Sequence, residues 1–158
     1  MEGSPEELVE LAVGRGLAFL SARDRTVSEM RAQLKKRGFS EDIGGRAIAR
    51  LADMGYLDDV RFSHRFIEDR RVLDGWGNSR IERRLLELGV SRETIEGLLD
   101  RDKDELEVVR AVEVLKRRLS GPADAASDRR RALGLLMRKG YSLETASDAV
   151  REHSKMHA

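Results

Sequence analysis

The 158-residue sequence has no cysteine, two prolines, one tryptophan and only 4% aromatic residues. Without cysteine there are no disulfides, thiolate metal ligands or thiol nucleophiles, and a reducing compartment fits. With so few prolines, long helices run uninterrupted. The 40% hydrophobic and 37% charged composition, rich in Leu, Ala, Arg and Glu, points to a helical protein in water. No apolar run approaches the roughly 18 residues of a membrane span. The opening MEGSPEELVE is acidic and lacks the basic and apolar regions of a signal peptide. A cytoplasmic protein with no membrane partner is expected. Thirty basic and 29 acidic side chains leave a net charge of +1, so any nucleic-acid footprint has to come from segregated charge.

Catalytic patterns are missing as well. There is no GxxxxGK[ST], HExxH or GxSxG, and GWGN at 75–78 lacks the further glycine and preceding strand of a dinucleotide site. His64, His153 and His157 are the only histidines. His153 and His157, four apart, have the spacing of a helical metal chelate, but they lie in a polar tail, REHSKMHA, expected to fray. The sequence therefore predicts no enzyme, no cofactor and no metal.

What is present is a repeat. LKKRGFS (34–40), LLELGVS (85–91) and LMRKGYS (136–142) recur at a spacing of 51 residues, aligning Leu34, Leu85 and Leu136, then Gly38, Gly89 and Gly140, then Ser40, Ser91 and Ser142. Each copy reads as a helix ended by a left-handed glycine, with Phe39, Val90 or Tyr141 packing back on its last turn and the serine capping the next helix. In the second copy Val90 and Ile95 are spaced as a hydrophobic staple, whereas the first has Gly44 in the second position. Upstream, Thr26, Gly77 and Asp128 are the equivalent N-caps, and Thr26 with Glu29 makes a capping box. Middle helices are predicted at 27–37, 78–88 and 129–139. A further helix precedes each, at 6–21, 59–73 and 103–119, and a shorter one follows each glycine. The longest loop is SGPADAAS, 120–127. Gly14, Gly16, Gly44 and Gly45 weaken the first repeat by about 1 kcal/mol each relative to alanine. The predicted fold is all-α, with three tandem three-helix repeats in an elongated, curved array: 1–58, 59–101, and 102–158 with a short tail. Each unit is too small to bury a comfortable core alone.

Charge follows helix position. The middle segments carry four basic and one acidic residue (28–39), three and two (79–90), and five and one (128–139), while the segments after the glycines are neutral or acidic. One reading is a basic stripe of Arg31, Lys35, Lys36, Arg37, Arg80, Arg83, Arg84, Arg129, Arg130, Arg131, Arg138 and Lys139, facing a phosphate backbone or an acidic protein groove. The other is that cations near helix C-termini complement the dipole, which covers Lys36, Arg37, Arg138 and Lys139 but not Arg129 to Arg131 at a helix start. Trp76 either stacks on a base or partner, or closes the end of a helical core, the favoured reading.

GYLDDVRF (55–62) sits between repeats. Gly55 can end one helix, Asp58 can cap the next, Leu57 and Phe62 are spaced as a staple, and Asp59 suits the positive end of the dipole. A hinge is favoured over direct partner contact, leaving Arg61 and the Tyr56 hydroxyl unassigned.

TVSEMRAQLKKRGFS, then GYLDDVRFS, then GxxRIxxxLxxxGV from Gly77 to Val90 together resemble the RecX regulatory proteins of bacteria, strongly over residues 17–101 and more loosely in the third repeat. The resemblance implies a monomeric all-helical protein of tandem three-helix repeats that binds RecA filaments on single-stranded DNA. It also implies inhibition of RecA ATP hydrolysis, coprotease function and strand exchange, placing the protein in recombination, DNA repair and the SOS response. The family offers no catalytic residues to carry over. Its motif maps to Gly55, Tyr56, Leu57, Asp58, Asp59, Arg61 and Phe62. The alternative reading is an independent DNA-binding helical-repeat module using the same arginines; a structural adaptor for an acidic helical partner is a third.

Overall fold

The structure, a computed structural model, describes residues 1–99 and 104–157. Among these there are nine α-helices and no strand: α1 (Pro5–Leu20), α2 (Val27–Lys36), α3 (Glu41–Asp53), α4 (Asp59–Asp69), α5 (Asn78–Glu87), α6 (Arg92–Leu98), α7 (Asp104–Arg118), α8 (Ala126–Lys139) and α9 (Leu143–Lys155). α4 continues without a break into a π-helical turn, Arg70–Asp74. The predicted start of α7 at 103 lies outside the described residues. No helix is long and apolar enough to cross a membrane.

The three glycine turns form as the repeat predicts, and with the same bonds. Gly38, Gly89 and Gly140 have φ of +92°, +85° and +102°. The next residue in each copy donates its N–H back to the aligned leucine, Phe39 to Leu34, Val90 to Leu85 and Tyr141 to Leu136, at 3.1, 3.0 and 3.1 Å. That is the six-to-one bond of a Schellman turn, and Phe39, Val90 and Tyr141 are all buried. Ser40, Ser91 and Ser142 then accept from the N–H three residues on, at 3.2, 3.2 and 3.1 Å. Thr26 and Glu29 form their capping box.

One predicted cap is wrong. α8 begins at Ala126 rather than 129, with Ala125 at the N-cap and no side-chain cap, so Asp128 lies inside the first turn. The alanines of ADAAS are strong helix formers and extend the helix back past the aspartate. The loop that precedes it is shortened accordingly.

The chain divides into two compact units: residues 1–64 with 85–94, and residues 65–84 with 95–158. The first is built on Val9 and Ala12 of α1, Met30 and Leu34 of α2, and Ile43, Ala47, Ile48 and Leu51 of α3, closed by Phe39 and Leu57. Gly16 has a packing reason to be there: a Cβ would stand 2.7 Å from a Leu51 methyl and 3.2 Å from the Met30 sulfur. The second unit is built on Ala111, Val112, Val114 and Leu115 of α7, Ala132 and Leu136 of α8, and Ala146, Ala149 and Val150 of α9, with Tyr141 between α8 and α9. The Tyr141 hydroxyl donates to the Gly75 carbonyl at 3.0 Å, and burial pushes its pKa well above the ordinary phenol value.

Candidate interaction surfaces

A helix start meets a helix end once in each unit, at positions the 51-residue repeat relates. In the first, the Thr26 hydroxyl at the start of α2 donates to the Leu88 carbonyl past the end of α5 at 2.7 Å. In the second, Gly77 N–H donates to the Lys139 carbonyl at 2.8 Å and Ser79 N–H to the Gly140 carbonyl at 3.3 Å, so the start of α5 meets the end of α8. A side-chain hydroxyl in the first unit and orphan N–H groups in the second thus satisfy carbonyls at the end of another helix, and the two dipoles meet with opposite ends together. The repeat glycine sits at the contact both times. A Cβ on Gly89 would be 2.2 Å from that of Ser28, and one on Gly140 would be 2.4 Å from the Arg80 Cβ and 2.7 Å from its backbone nitrogen.

GYLDDVRF is resolved residue by residue. Gly55, at φ +82°, ends α3, and Tyr56 N–H returns to the Leu51 carbonyl at 2.8 Å. Leu57 is buried against the α1–α3 core. Asp58 caps α4, its carboxylate accepting from Arg61 N–H at 3.0 Å. Asp59 does more than serve its own helix: it accepts the N–H of Val27, the first residue of α2, at 2.9 Å, tying the start of α4 to the start of α2. The Arg61 guanidinium donates to the Gly55 carbonyl at 2.7 Å, which closes the turn and gives that side chain a structural role. Tyr56 and Val60, 52% and 55% exposed, are the large apolar members of the motif turned to solvent.

The second unit holds the equivalent tie, and sequence reasoning missed it. Glu107 of α7, only 8% exposed, accepts the N–H of Asn78, the first residue of α5, at 3.1 Å and pairs with Arg110 at 3.3 Å. Val27 and Asn78 are 51 residues apart. The signal was therefore in the repeat, although the acceptor comes from a helix whose register is not conserved between copies.

The predicted basic residues separate into distinct settings. Arg31 and Lys35 flank a concavity of about 490 Å³ between α2 and α3, over Gly44 and Gly45. Arg129 and Arg130 flank a larger groove of about 720 Å³, floored by Leu133 and Val150, and Arg129 also donates to the Asp124 carbonyl at 2.5 Å. Lys36, Arg37, Arg83, Arg84, Arg131 and Arg138 are exposed. Arg80 and Lys139 reach across to backbone far along the chain. Arg80 donates to the Arg138 carbonyl at 3.1 Å and lies 4.2 Å over the Trp76 ring. Lys139 donates to the Asp74 carbonyl at 2.8 Å. Burial, then the charges of Arg118 and Arg80, hold its ammonium below the ordinary lysine pKa, against a smaller opposing pull from Asp74.

Trp76 packs edge-on to Phe66 at 6.2 Å and receives Arg80 on its face, as expected of a ring closing a helical end. The fraying tail is not observed. α9 runs to Lys155, and His153 is 1% exposed, with neither ring nitrogen hydrogen-bonded. The His157 ring lies 4.7 Å away. Burial lowers the His153 pKa first, with His157 and Lys116 adding to it. Among the described residues no group of three or more His, Cys, Asp or Glu side chains is placed to hold a metal ion.

The sequence matches the RecX first three-helix domain over residues 12–51 and the RecX second three-helix domain over residues 58–99. Regulatory protein RecX of Mycolicibacterium vanbaalenii is 33% identical over 142 residues, which cover 85% of this chain and 77% of that protein. Regulatory protein RecX of Mycobacterium tuberculosis H37Rv is 33% identical over 153 residues, covering 93% and 88%. The crystal structure of RecX from Lactobacillus salivarius matches with a TM-score of 0.80 at 21% identity, over 95% of this chain and 99% of that one. A second crystal structure, of regulatory protein RecX, gives 0.71 at 20% identity, over 96% and 73%. At such identities the structural likeness speaks to the fold.

Proposed function

The chain belongs to the RecX family of regulatory proteins, and we propose that it binds RecA filaments on single-stranded DNA and inhibits RecA ATP hydrolysis, coprotease activity and strand exchange. The observation that carries this reading is 33% identity to a protein named as a regulator across 93% of the chain, with both three-helix domains of the family in order. The structure is compatible with it in a specific way. Asp58, Asp59 and Arg61 of GYLDDVRF are spent on backbone groups of the same unit, as in a binding scaffold. On this reading the protein is a cytoplasmic, non-enzymatic monomer that needs no cofactor, and its three sequence repeats present surface to the filament.

The test is the single-strand-dependent ATPase of the cognate RecA titrated with the full chain. Suppression at less than one molecule per RecA subunit is expected, because capping or breaking a filament silences many subunits. An unchanged rate at saturating protein overturns the reading. DNA binding that is steeply salt-dependent and indifferent to RecA would instead favour an independent DNA-binding module.

A further inference from the structure

Two of the three histidines meet at the end of α9. His153 and His157 stand one helical turn apart, and their ring centres lie 4.7 Å from each other with the planes tilted by 56°. The turn is held past the last helical residue, where His157 N–H donates to the Ser154 carbonyl at 3.2 Å. Two imidazoles that share one tetrahedral ion through metal–nitrogen bonds of about 2.0–2.1 Å have ring centres roughly 5 Å apart. The pair already has the spacing of a helical chelate.

The inner ring is the unusual one. His153 is buried, and neither of its nitrogens has a hydrogen-bond partner. A neutral imidazole carries one donor and one acceptor, and buried polar groups in folded proteins are nearly always satisfied. Packing does not call for such a residue here, since Ala146, Ala149 and Val150 fill the buried face of the same helix with apolar side chains. Nor does a ring-to-ring hydrogen bond, which is not made. Burial first, then His157 and Lys116 of α7, disfavour protonation of His153, and Lys116 has its own partner in Glu113 at 3.0 Å. The ring is thereby kept in the neutral form that a metal ion requires. The partial negative charge at a helix C-terminus also favours a cation. His157 is exposed, so its ring can swing aside to admit an ion from solvent.

We propose that His153 and His157 form a two-histidine site for a divalent transition-metal ion of the zinc class, with water completing the coordination. Imidazole nitrogen suits zinc, nickel and copper, whereas magnesium and calcium take oxygen ligands. No group of three or more His, Cys, Asp or Glu forms among the described residues, so the site keeps open positions and binds reversibly, unlike a closed structural site with four protein ligands. The ion would give the buried ring its missing partner and fasten the exposed last turn of the chain to it. The proposal does not rest on the RecA reading.

The experiment is isothermal titration calorimetry of zinc chloride into the full chain, without RecA and in a buffer that does not bind zinc. One ion per chain is expected, and no binding of magnesium. H157Q, altered at an exposed side chain, should lose at least the roughly 10–100-fold in affinity that even outer-shell changes cost a metal site. H64A removes the histidine outside the pair and should bind as the unmodified chain does. Without metal the melting curves of all three should coincide. Zinc at about 100 times its Kd should raise the melting temperature of the unmodified chain by on the order of 5 °C and leave that of H157Q nearly unmoved. No binding by the unmodified chain, one ion shared by two chains, an undiminished affinity in H157Q, or a loss in H64A equal to that in H157Q would each overturn the proposal. Because RecA is absent, such a failure leaves the ATPase result to decide the RecA reading separately.

Discussion

The two helix junctions, Thr26 with Leu88 in the first unit and Gly77 with Lys139 in the second, perform the same task with different chemistry. At the first, a side-chain hydroxyl bridges the gap: Thr26 is fully buried, accepts the N–H of Glu29 at 3.1 Å and donates its own O–H to the Leu88 carbonyl. At the second, glycine removes the side chain and the backbones touch directly, so closely that a Cβ on Gly77 would be 2.6 Å from the Gly140 carbonyl oxygen. A threonine keeps a capping box and sets the helices one side chain apart. A glycine gives up side-chain capping, and two backbone N–H groups take over the contact. The repeat therefore preserves the meeting of the two ends rather than the residues that close it.

The largest effect in either junction is expected from G140A. The backbone at +102° is strained for alanine, and the new Cβ would meet the Arg80 nitrogen and Cα at 2.7 and 3.1 Å. A loss of about 3 kcal/mol or more is expected in urea unfolding followed by Trp76 fluorescence, which reports on the second unit. Trimming Arg80 to glycine should not restore stability, because the obstructing nitrogen remains. G89A comes next, at about 2 kcal/mol, read by far-ultraviolet circular dichroism. There the obstruction is the Ser28 side chain, and without it the nearest atom is the Ser28 Cα at 3.7 Å. S28G should therefore recover much of the loss. Rescue at neither site, or at both, would mean the junctions do not differ as described.

T26V separates them further. It leaves the Leu88 carbonyl and the Glu29 N–H without their shared partner in a buried place, at a cost of about 2 kcal/mol. The second junction has no hydroxyl in this role, since Ser79 takes part through its backbone N–H. S79A should stay within about 0.5 kcal/mol of the unmodified protein in the same unfolding assay.

Local chemistry was legible in the sequence, and pairings at a distance were not. The glycine, the residue that packs back and the serine specify turn and cap within seven residues, so all three copies could be read directly. Asp128 misled because one cap-forming residue was weighed above the alanines before it. The π-helical turn leaves Val72 and Leu73 largely exposed, at 65% and 70%, and it has no compositional mark. Burial of His153 depends on α7 lying against α9, which its own polar neighbours conceal. The basic stripe mixed two kinds of cation. Arg80 and Lys139 turned out to reach backbone carbonyls far along the chain, which no local pattern announces. For GYLDDVRF the hinge reading identified the caps, but the partner of Asp59 lies 32 residues upstream, beyond the reach of local pattern.

The smallest effect is expected at Gly38, the copy of the repeat glycine that meets no second helix. Its φ of +92° lies between those of Gly89 and Gly140, so the conformational cost of alanine should be similar at all three. A Cβ there would come near only the Met1 methyl, at 3.5 Å, an ordinary contact. G38A should therefore cost about 1 kcal/mol, the penalty of a left-handed alanine alone. Asparagine, which tolerates that conformation better, should cost less. Subtracting the Gly38 result from those at Gly89 and Gly140 isolates what the approaching helix adds at each junction. Equal losses at all three glycines would mean that the repeat conserves only a turn. A graded series, rising from Gly38 through Gly89 to Gly140, would mean that it conserves a point of assembly.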